Sequence, residues 1–328
     1  MGLRMRRSFK VAPGLRMTVT NKSLGISAGG RAARINVNSR HGTTASVGIP
    51  GTGLSFSQKI RYPLRPEHPT ASDIETSPAG SDRVSPRPGL WAPSWEKELF
   101  GRVERGRLDA LQDIAARSPK SRQACLYLQG LATMSGELLG ELWTEGFDPS
   151  QDPFIKRYLA SSETTVWLTR DVVVVMPPHR DTLGLVLAEL LQQRGLLDQA
   201  IAVVEGLSSS EVVAVSLADL YLAAGRPADV LPISQGNNAV DSVFTACLSL
   251  QRAVALRELG DLAGSRQVIG VILRPRWMPD SVRMWAWVER AKTYAAERKS
   301  SLARKDLMRV AALDPDYPGV ADLLDELA

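Results

Sequence analysis

Cysteine and histidine are nearly missing from this 328-residue chain, with two of the first and three of the second. Cys125 and Cys247 stand far apart in sequence. They fit neither a disulfide framework nor a zinc-ligand spacing, which points to a reducing compartment. His41, His68 and His179 leave little material for the usual histidine-based metal and acid–base sites. Long apolar runs are also lacking, since no stretch reaches the roughly 18 residues that a membrane-spanning helix requires. The basic start, MGLRMRRSFKVAPGLRMTV, is broken by Lys10, Pro13, Gly14 and Arg16 where a signal peptide needs its apolar centre. Arg6 stands where an acylation motif beginning at Gly2 would need Ser or Thr. A cytoplasmic protein is expected.

Negative charge is absent from the first 62 residues. That stretch carries eleven cations: Arg4, Arg6, Arg7, Lys10, Arg16, Lys22, Arg31, Arg34, Arg40, Lys59 and Arg61. The other 29 Lys and Arg therefore face all 35 Asp and Glu. So sharp a segregation, hidden beneath a net charge of +5, marks two separate bodies.

What residues 1–62 do contain is a period of two. Leu15, Met17 and Val19 alternate with polar residues, as do Leu24, Ile26, Ala28, then Ala33, Ile35, Val37, then Ala45, Val47, Ile49, then Leu54 and Phe56. The turn-forming stretches NKS, GGR, NSRHGT and PGTG separate these runs. The pattern predicts an antiparallel β-meander of five short strands, with a sixth if RMRRSFK pairs at an edge. Gly-rich SVGIPGTGLSF, residues 46–56, could be mistaken for a phosphate-cradling loop. It lacks the lysine and the helix start that such a loop requires, and Pro50-Gly51 suits a hairpin turn. Arg16 and Arg34 fall on the polar face of their strands and Arg31 and Arg40 in turns, so these four are the candidate contacts to an anionic partner. With few aromatic stacking platforms, such binding would be sequence-blind.

Residues 63–93 hold seven prolines in 31 positions and few aliphatics. They read as an extended linker. From residue 94 onward the pattern is helical. SRQACLYLQGLATMSGELLGELW is expected to place Leu131, Met134, Leu138 and Leu142 on one helical stripe, with Ser121 as N-cap. TTVWLTRDVVVVMPP, rich in β-branched residues, is expected to form a small inserted β-hairpin. The HRD at 179–181 lacks the partners of a kinase catalytic loop, and Asp181 is expected to cap the next helix.

From about residue 181 the chain repeats itself. Gly195, Gly225 and Gly260 follow at intervals of 30 and 35, each with a large residue four before it: Leu191, Tyr221 and Leu256. A fourth unit has Tyr294 in that place and Arg298 where the glycine would be. Five residues beyond these anchors stand Ala200, Val230, Ser265 and Ala303. Glycine ends the first helix of the first three units, the small residue lets the second helix approach, with Val230 the exception, and Pro315 closes the last unit.

This pattern resembles the tetratricopeptide family over residues 181–320. The resemblance implies an all-α solenoid whose first helices present a concave groove to partner peptides. One subclass grips peptide carboxylates with Lys and Asn. The matching positions here include Thr182, Leu185, Glu189, Val212, Val215 and Asp219, so that clamp is absent. The N-terminal stretch, through its basic opening, PGLR, SLGISAGGRAARINV and TTASVGIPGTGLSFS, resembles the bacterial domain-of-unknown-function family 4236, which carries no activity with it. Its combination with ARKDLMRVAALDPDYPGV is similar to a two-part actinobacterial arrangement.

The fold expected is thus multidomain: a basic β-meander at 1–62, a linker at 63–93, and an α-helical, tetratricopeptide-like region at 94–328 with an inserted β-hairpin. The function expected is a non-enzymatic interaction protein, without cofactor or metal, that docks a protein partner on its repeats. A second reading takes residues 1–62 as a binder of nucleic acid or anionic lipid. Asp314 and Asp316 read as turn residues. Trp285 and Trp287, two apart, cannot share a helix face, so one is expected in the core and the other at the groove.

Overall fold

The computed structural model describes the backbone of six N-terminal strands and then residues 87–160, 162–169, 172–235 and 240–327. The strands are β1 (Arg6–Ala12), β2 (Leu15–Thr20), β3 (Ser23–Ala28), β4 (Ala33–Asn38), β5 (Gly42–Gly48) and β6 (Ser55–Ile60). Each pairs with its neighbours in chain order. The expected turn at Pro50-Gly51 lies outside the described residues, as does most of the expected linker.

Among the described residues, helices begin at residue 94. In order they are α1 (Ser94–Arg105), α2 (Gln112–Arg117), α3 (Arg122–Thr133), α4 (Gly136–Thr144) and α5 (Pro153–Tyr158). The paired strands β7 (Thr164–Thr169) and β8 (Val172–Met176) follow. Then come α6 (Arg180–Gln193), α7 (Leu197–Glu205), α8 (Glu211–Ala223), α9 (Pro227–Ile233), α10 (Val243–Glu258), α11 (Leu262–Ile272), α12 (Asp280–Ala296), α13 (Ser300–Leu313) and α14 (Val320–Glu326). The chain divides into two compact units, one of residues 1–166 and 175–186, the other of 167–174 and 187–328.

In the first unit, Leu99, Leu111, Ile114, Leu139, Leu142 and Phe154 are fully buried. Tyr158 packs on Phe154 and Phe100, with ring centroids 5.1 and 5.6 Å away. Its hydroxyl donates to the buried Glu96 carboxylate at 2.6 Å. A single helical stripe through Leu131, Met134, Leu138 and Leu142 does not form. Met134 adopts a left-handed conformation (φ 52°) and ends α3, and the Ser135 side chain then accepts from Leu138 N to start α4. The two helices fold back closely enough that a β-carbon on Gly130 would lie 2.6 Å from Leu139 Cδ2. Ser121 does precede α3, but its hydroxyl donates to Ser118 O at 2.7 Å rather than capping the helix. At the start of α6 the capping acceptor is also not the one expected. His179 Nδ1 accepts from Asp181 N at 3.2 Å, so Asp181 sits inside the first turn.

The second unit is built on one repeated joint. Gly195, Gly225 and Gly260 have φ of 74°, 69° and 89°, and Arg298 takes the same left-handed place with φ 59°. At each joint a backbone N–H reaches back five residues. Leu196 N donates to Leu191 O, Arg226 N to Tyr221 O, Asp261 N to Leu256 O and Lys299 N to Tyr294 O, at 2.8–2.9 Å. This closure satisfies carbonyls that a helix end would otherwise leave unpaired. The residues five beyond, Ala200, Val230, Ser265 and Ala303, are all completely buried. The first helices of the four repeats are thus α6, α8, α10 and α12, and the second helices are α7, α9, α11 and α13.

Arg298 departs from glycine at a position that costs an L-residue about 1 kcal/mol. Its side chain is exposed. Arg298→Gly is therefore expected to stabilise the protein by about 1 kcal/mol in denaturant unfolding. A loss of stability would mean that the arginine side chain contributes more than its backbone costs.

The last repeat carries its own core of Val288, Ala291, Ala303, Leu307, Val310, Tyr317 and Val320, with α14 laid over it. Trp287 packs against this core, and neither Trp285 nor Trp287 is fully buried. Asp314 Oδ1 accepts from Asp316 N at 3.1 Å in the turn after α13. Cys125 and Cys247 are buried thiols, not joined in a disulfide.

Candidate functional site

In a solenoid of helix pairs the first helices stand side by side and share one face. Here the register of that face is fixed by the joints. The residue six before each left-handed position is Glu189 on α6, Asp219 on α8, Val254 on α10 and Lys292 on α12. The row thus runs from acidic through apolar to basic.

At its acidic end, Gln192 Nε2 of α6 donates to Asp219 Oδ2 of α8 at 3.1 Å. Glu189 lies three residues before Gln192, on the same side of α6, and accepts from Gln193 Nε2 at 3.3 Å. Burial pushes both carboxyls above the usual carboxylate range, and the amide donors only partly oppose it. A carboxyl whose pKa folding has raised costs stability while it is ionised, and that cost is relieved as pH falls through the raised pKa.

One helix further on, Gln251 Nε2 donates to Val215 O of α8 at 3.0 Å. Gln251 is completely buried, and its Oε1 has no hydrogen-bond partner. Val254, three residues later on α10, is half-buried. At the basic end, Arg257 Nη1 of α10 meets Glu289 Oε2 of α12 at 2.5 Å, and Lys292 Nζ meets Glu289 Oε1 at 2.8 Å. Glu289 is only 5% exposed, so its charge is neutralised inside the array. Asp306 of α13 accepts from Arg290 Nε and Nη2 at 2.7 and 2.8 Å and from Arg309 Nη1 at 3.0 Å.

Of the six groove positions expected from the sequence, Thr182, Leu185, Val212 and Val215 are buried. Glu189 and Asp219 are half-buried. Gln192, Gln251, Arg257, Glu289 and Lys292 were not singled out by the sequence reading. Lys292 shares its offset with Glu189 and Asp219 and could have been found that way, while the others pair only across helices. Arg16 lies on β2 opposite Lys10 and Ser27, and Arg34 on β4 opposite Ser46. Arg31 and Arg40 lie outside the described residues. Among the described residues no group of three or more His, Cys, Asp or Glu could hold a metal ion, and no helix is long and apolar enough to cross a membrane.

An array of helix pairs joined by left-handed turns, with a completely buried residue five beyond each turn, defines a tetratricopeptide-like helical fold. The chain is similar to the N-terminal domain of the EccA1 ATPase from the ESX-1 secretion system of Mycobacterium tuberculosis, at 14% identity and a TM-score of 0.57. That match covers 72% of this chain and 88% of the other. A tetratricopeptide repeat protein from Parabacteroides merdae also matches, at 12% identity and a TM-score of 0.38, over 72% of this chain and 99% of the other. Residues 3–57 match the family described as "Protein of unknown function (DUF4236)". No curated protein matches the chain.

Proposed function

We propose that this chain is a non-enzymatic, cytoplasmic interaction protein that docks a protein partner on the shared face of α6, α8, α10 and α12. The observation that carries this reading is the ordered row Glu189, Asp219, Val254, Lys292, which sets two acids, an apolar residue and a base at one register along successive helices. Such a row can read an extended or helical segment of a partner without any catalytic group. In this reading 94–328 is the docking region, 63–93 a linker, and 1–62 an appended basic β-meander module. Support for the module comes from the strand register, which sets Met17 against Ile26, Ile35 against Ala45 and Val47 against Phe56, so that the alternating apolar positions of neighbouring strands coincide.

The test is capture of cytoplasmic partners on the full chain as bait, compared with Val254→Arg. That substitution plants a long, charged side chain in the middle of the row while leaving the three charged positions intact. Val254 is only half-buried, so the longer side chain can extend toward solvent and the helix can keep its place. Partners are expected to be lost from the variant, with its helical circular dichroism unchanged. Equal capture by both baits would overturn the reading.

A second reading is favoured by the eleven cations of residues 1–62: the module holds a polyanion through Arg16, Arg31, Arg34 and Arg40. Binding of the full chain to duplex DNA or anionic vesicles should then weaken steeply with salt. On DNA the log–log slope is expected near −0.9 per phosphate neutralised. Serine at the four arginines should flatten the slope. Absence of binding at low salt would leave the charge as protection of the sheet edges.

A further inference from the structure

The last two helices carry opposite charges that the chain does not join. From Arg298 to Arg309 there are five cations and one acid, Asp306, which is buried. From Val310 onward there are five acids, Asp314, Asp316, Asp322, Asp325 and Glu326, and no Lys or Arg. Among the described residues, Arg304 and Lys305 of α13 and Asp322, Asp325 and Glu326 of α14 have no ion-pair partner. Elsewhere neighbouring helices do join their charges, α1 to α2 through Glu98–Arg117 and α3 to α4 through Arg122–Glu141.

Helix geometry explains why the two sets miss each other. Val320, Leu323 and Leu324 turn α14 onto the core of the last repeat. Asp322, Asp325 and Glu326, spaced at three and four residues, therefore share its exposed side. On α13 the buried Ala303, Leu307 and Val310 likewise send Arg304 and Lys305 outward. Asp325 and Glu326 also stand in the last turn of α14, where the field of the helix itself disfavours carboxylates.

The basic face offers apolar contact as well. Leu302, Lys305, Arg309 and Leu313 form one exposed stripe along α13, and Met308 lies one turn from both Arg304 and Lys305. Met308 and Leu313 are each more than half exposed. Large apolar side chains left in water among unpaired charges of one sign mark a contact surface.

We propose that two copies of this chain pair through the last repeat, α13 of each copy lying against α14 of the other. A two-fold contact must be self-complementary, and here one chain carries the basic and the acidic face on adjacent helices. Each pairing sets Arg304 and Lys305 against Asp322, Asp325 and Glu326, and it occurs twice. The same contact takes Leu302, Met308 and Leu313 out of water. The surface lies on different helices from the shared face of α6, α8, α10 and α12, so the inference does not rest on the docking reading.

The experiment is sedimentation equilibrium of the full chain from micromolar to millimolar concentration. A monomer–dimer equilibrium is expected, weakened about ten-fold or more between low and molar salt. Arg304→Glu with Lys305→Glu should weaken the dimer about a hundred-fold, because like charges then face one another at both contacts. Asp322→Lys with Asp325→Lys should do the same. Mixed in equal amounts, the two variants should form a mixed dimer, since each offers the face that the other lost.

The four altered positions are exposed, so the melting temperature should stay at the wild-type value. Met308→Ser, which keeps every charge, should weaken the dimer about ten-fold. Asp198→Lys, at an exposed position on α7, should leave it unchanged. A chain that stays monomeric at millimolar concentration would overturn the proposal. So would a dimer that neither charge reversal weakens, or two variants that fail to pair when mixed. Binding of a monomeric wild type to anionic vesicles, lost with Arg304→Glu and Lys305→Glu, would overturn it in favour of a lipid surface.

Discussion

Ala303→Leu is expected to lower the stability of the helical array by about 1–3 kcal/mol, the usual cost of forcing methylenes into a filled core. Ala303 is completely buried among Val288, Ala291, Leu307, Val310, Tyr317 and Val320. It sits on α13 within a core shared with Val288 and Ala291 of α12, so the added volume must displace α12, α13 or both. Ala200, equally buried, holds the same place in the first repeat, and Ala200→Leu should behave alike. For a cooperative unit the size of the helical region, each kcal/mol moves the melting point by roughly 2–4 °C. Thermal unfolding followed by circular dichroism would register the shift. Two neutral substitutions would show that the small-residue positions are not the points of closest approach.

A still larger loss is expected from Asp306→Ala. The Asp306 carboxylate is 2% exposed and is the shared anchor of Arg290 and Arg309, one from α12 and one from its own helix. Removing it leaves two guanidinium groups without their shared counter-charge. Breaking a buried pair by deleting one member costs about 3–5 kcal/mol, mostly through the charge left behind. Arg290 retains some solvent access, so the lower end of that range applies. The double replacement Asp306→Leu with Arg290→Met should recover a large part of the loss, because it removes both charges together. If the single substitution is tolerated, the pair is held weakly in solution.

The joints of the array were legible in the sequence because glycine at a helix end has a local, steric cause. Leu191, Tyr221, Leu256 and Tyr294 could be placed by counting back from it, and Ala200, Ser265 and Ala303 by counting forward. Arg298 fell into register by count alone, against its own conformational preference. The break at Met134 was missed because methionine rarely takes a left-handed conformation and its apolar side chain continues the stripe. Ser135, followed by Gly136 and Glu137, was the available sign of a new helix start. The exchange of His179 for Asp181 as the capping residue shifted the start of α6 by little. The ion pairs Arg257–Glu289 and Arg290–Asp306 were illegible, since their members sit 32 and 16 residues apart on separate helices and nothing local ties them together. Glu189 and Asp219 were visible as positions. The bond from Gln192 to Asp219 joins residues 27 apart on separate helices, so it needed the neighbours that only folding assembles.

The two thiols give this chain a pair of internal clocks. Cys125 lies in the first compact unit and Cys247 in the second, each within a helix and each buried. Desolvation pushes the Cys125 thiol up to about 11, which suppresses the reactive thiolate while the fold is intact. An alkylating reagent therefore reaches either sulfur only when the surrounding helices open, and the two adducts sit on different peptides. Pulse labelling resolved by mass would time the opening of each unit separately within one molecule, reporting whether they come apart in one event or in sequence.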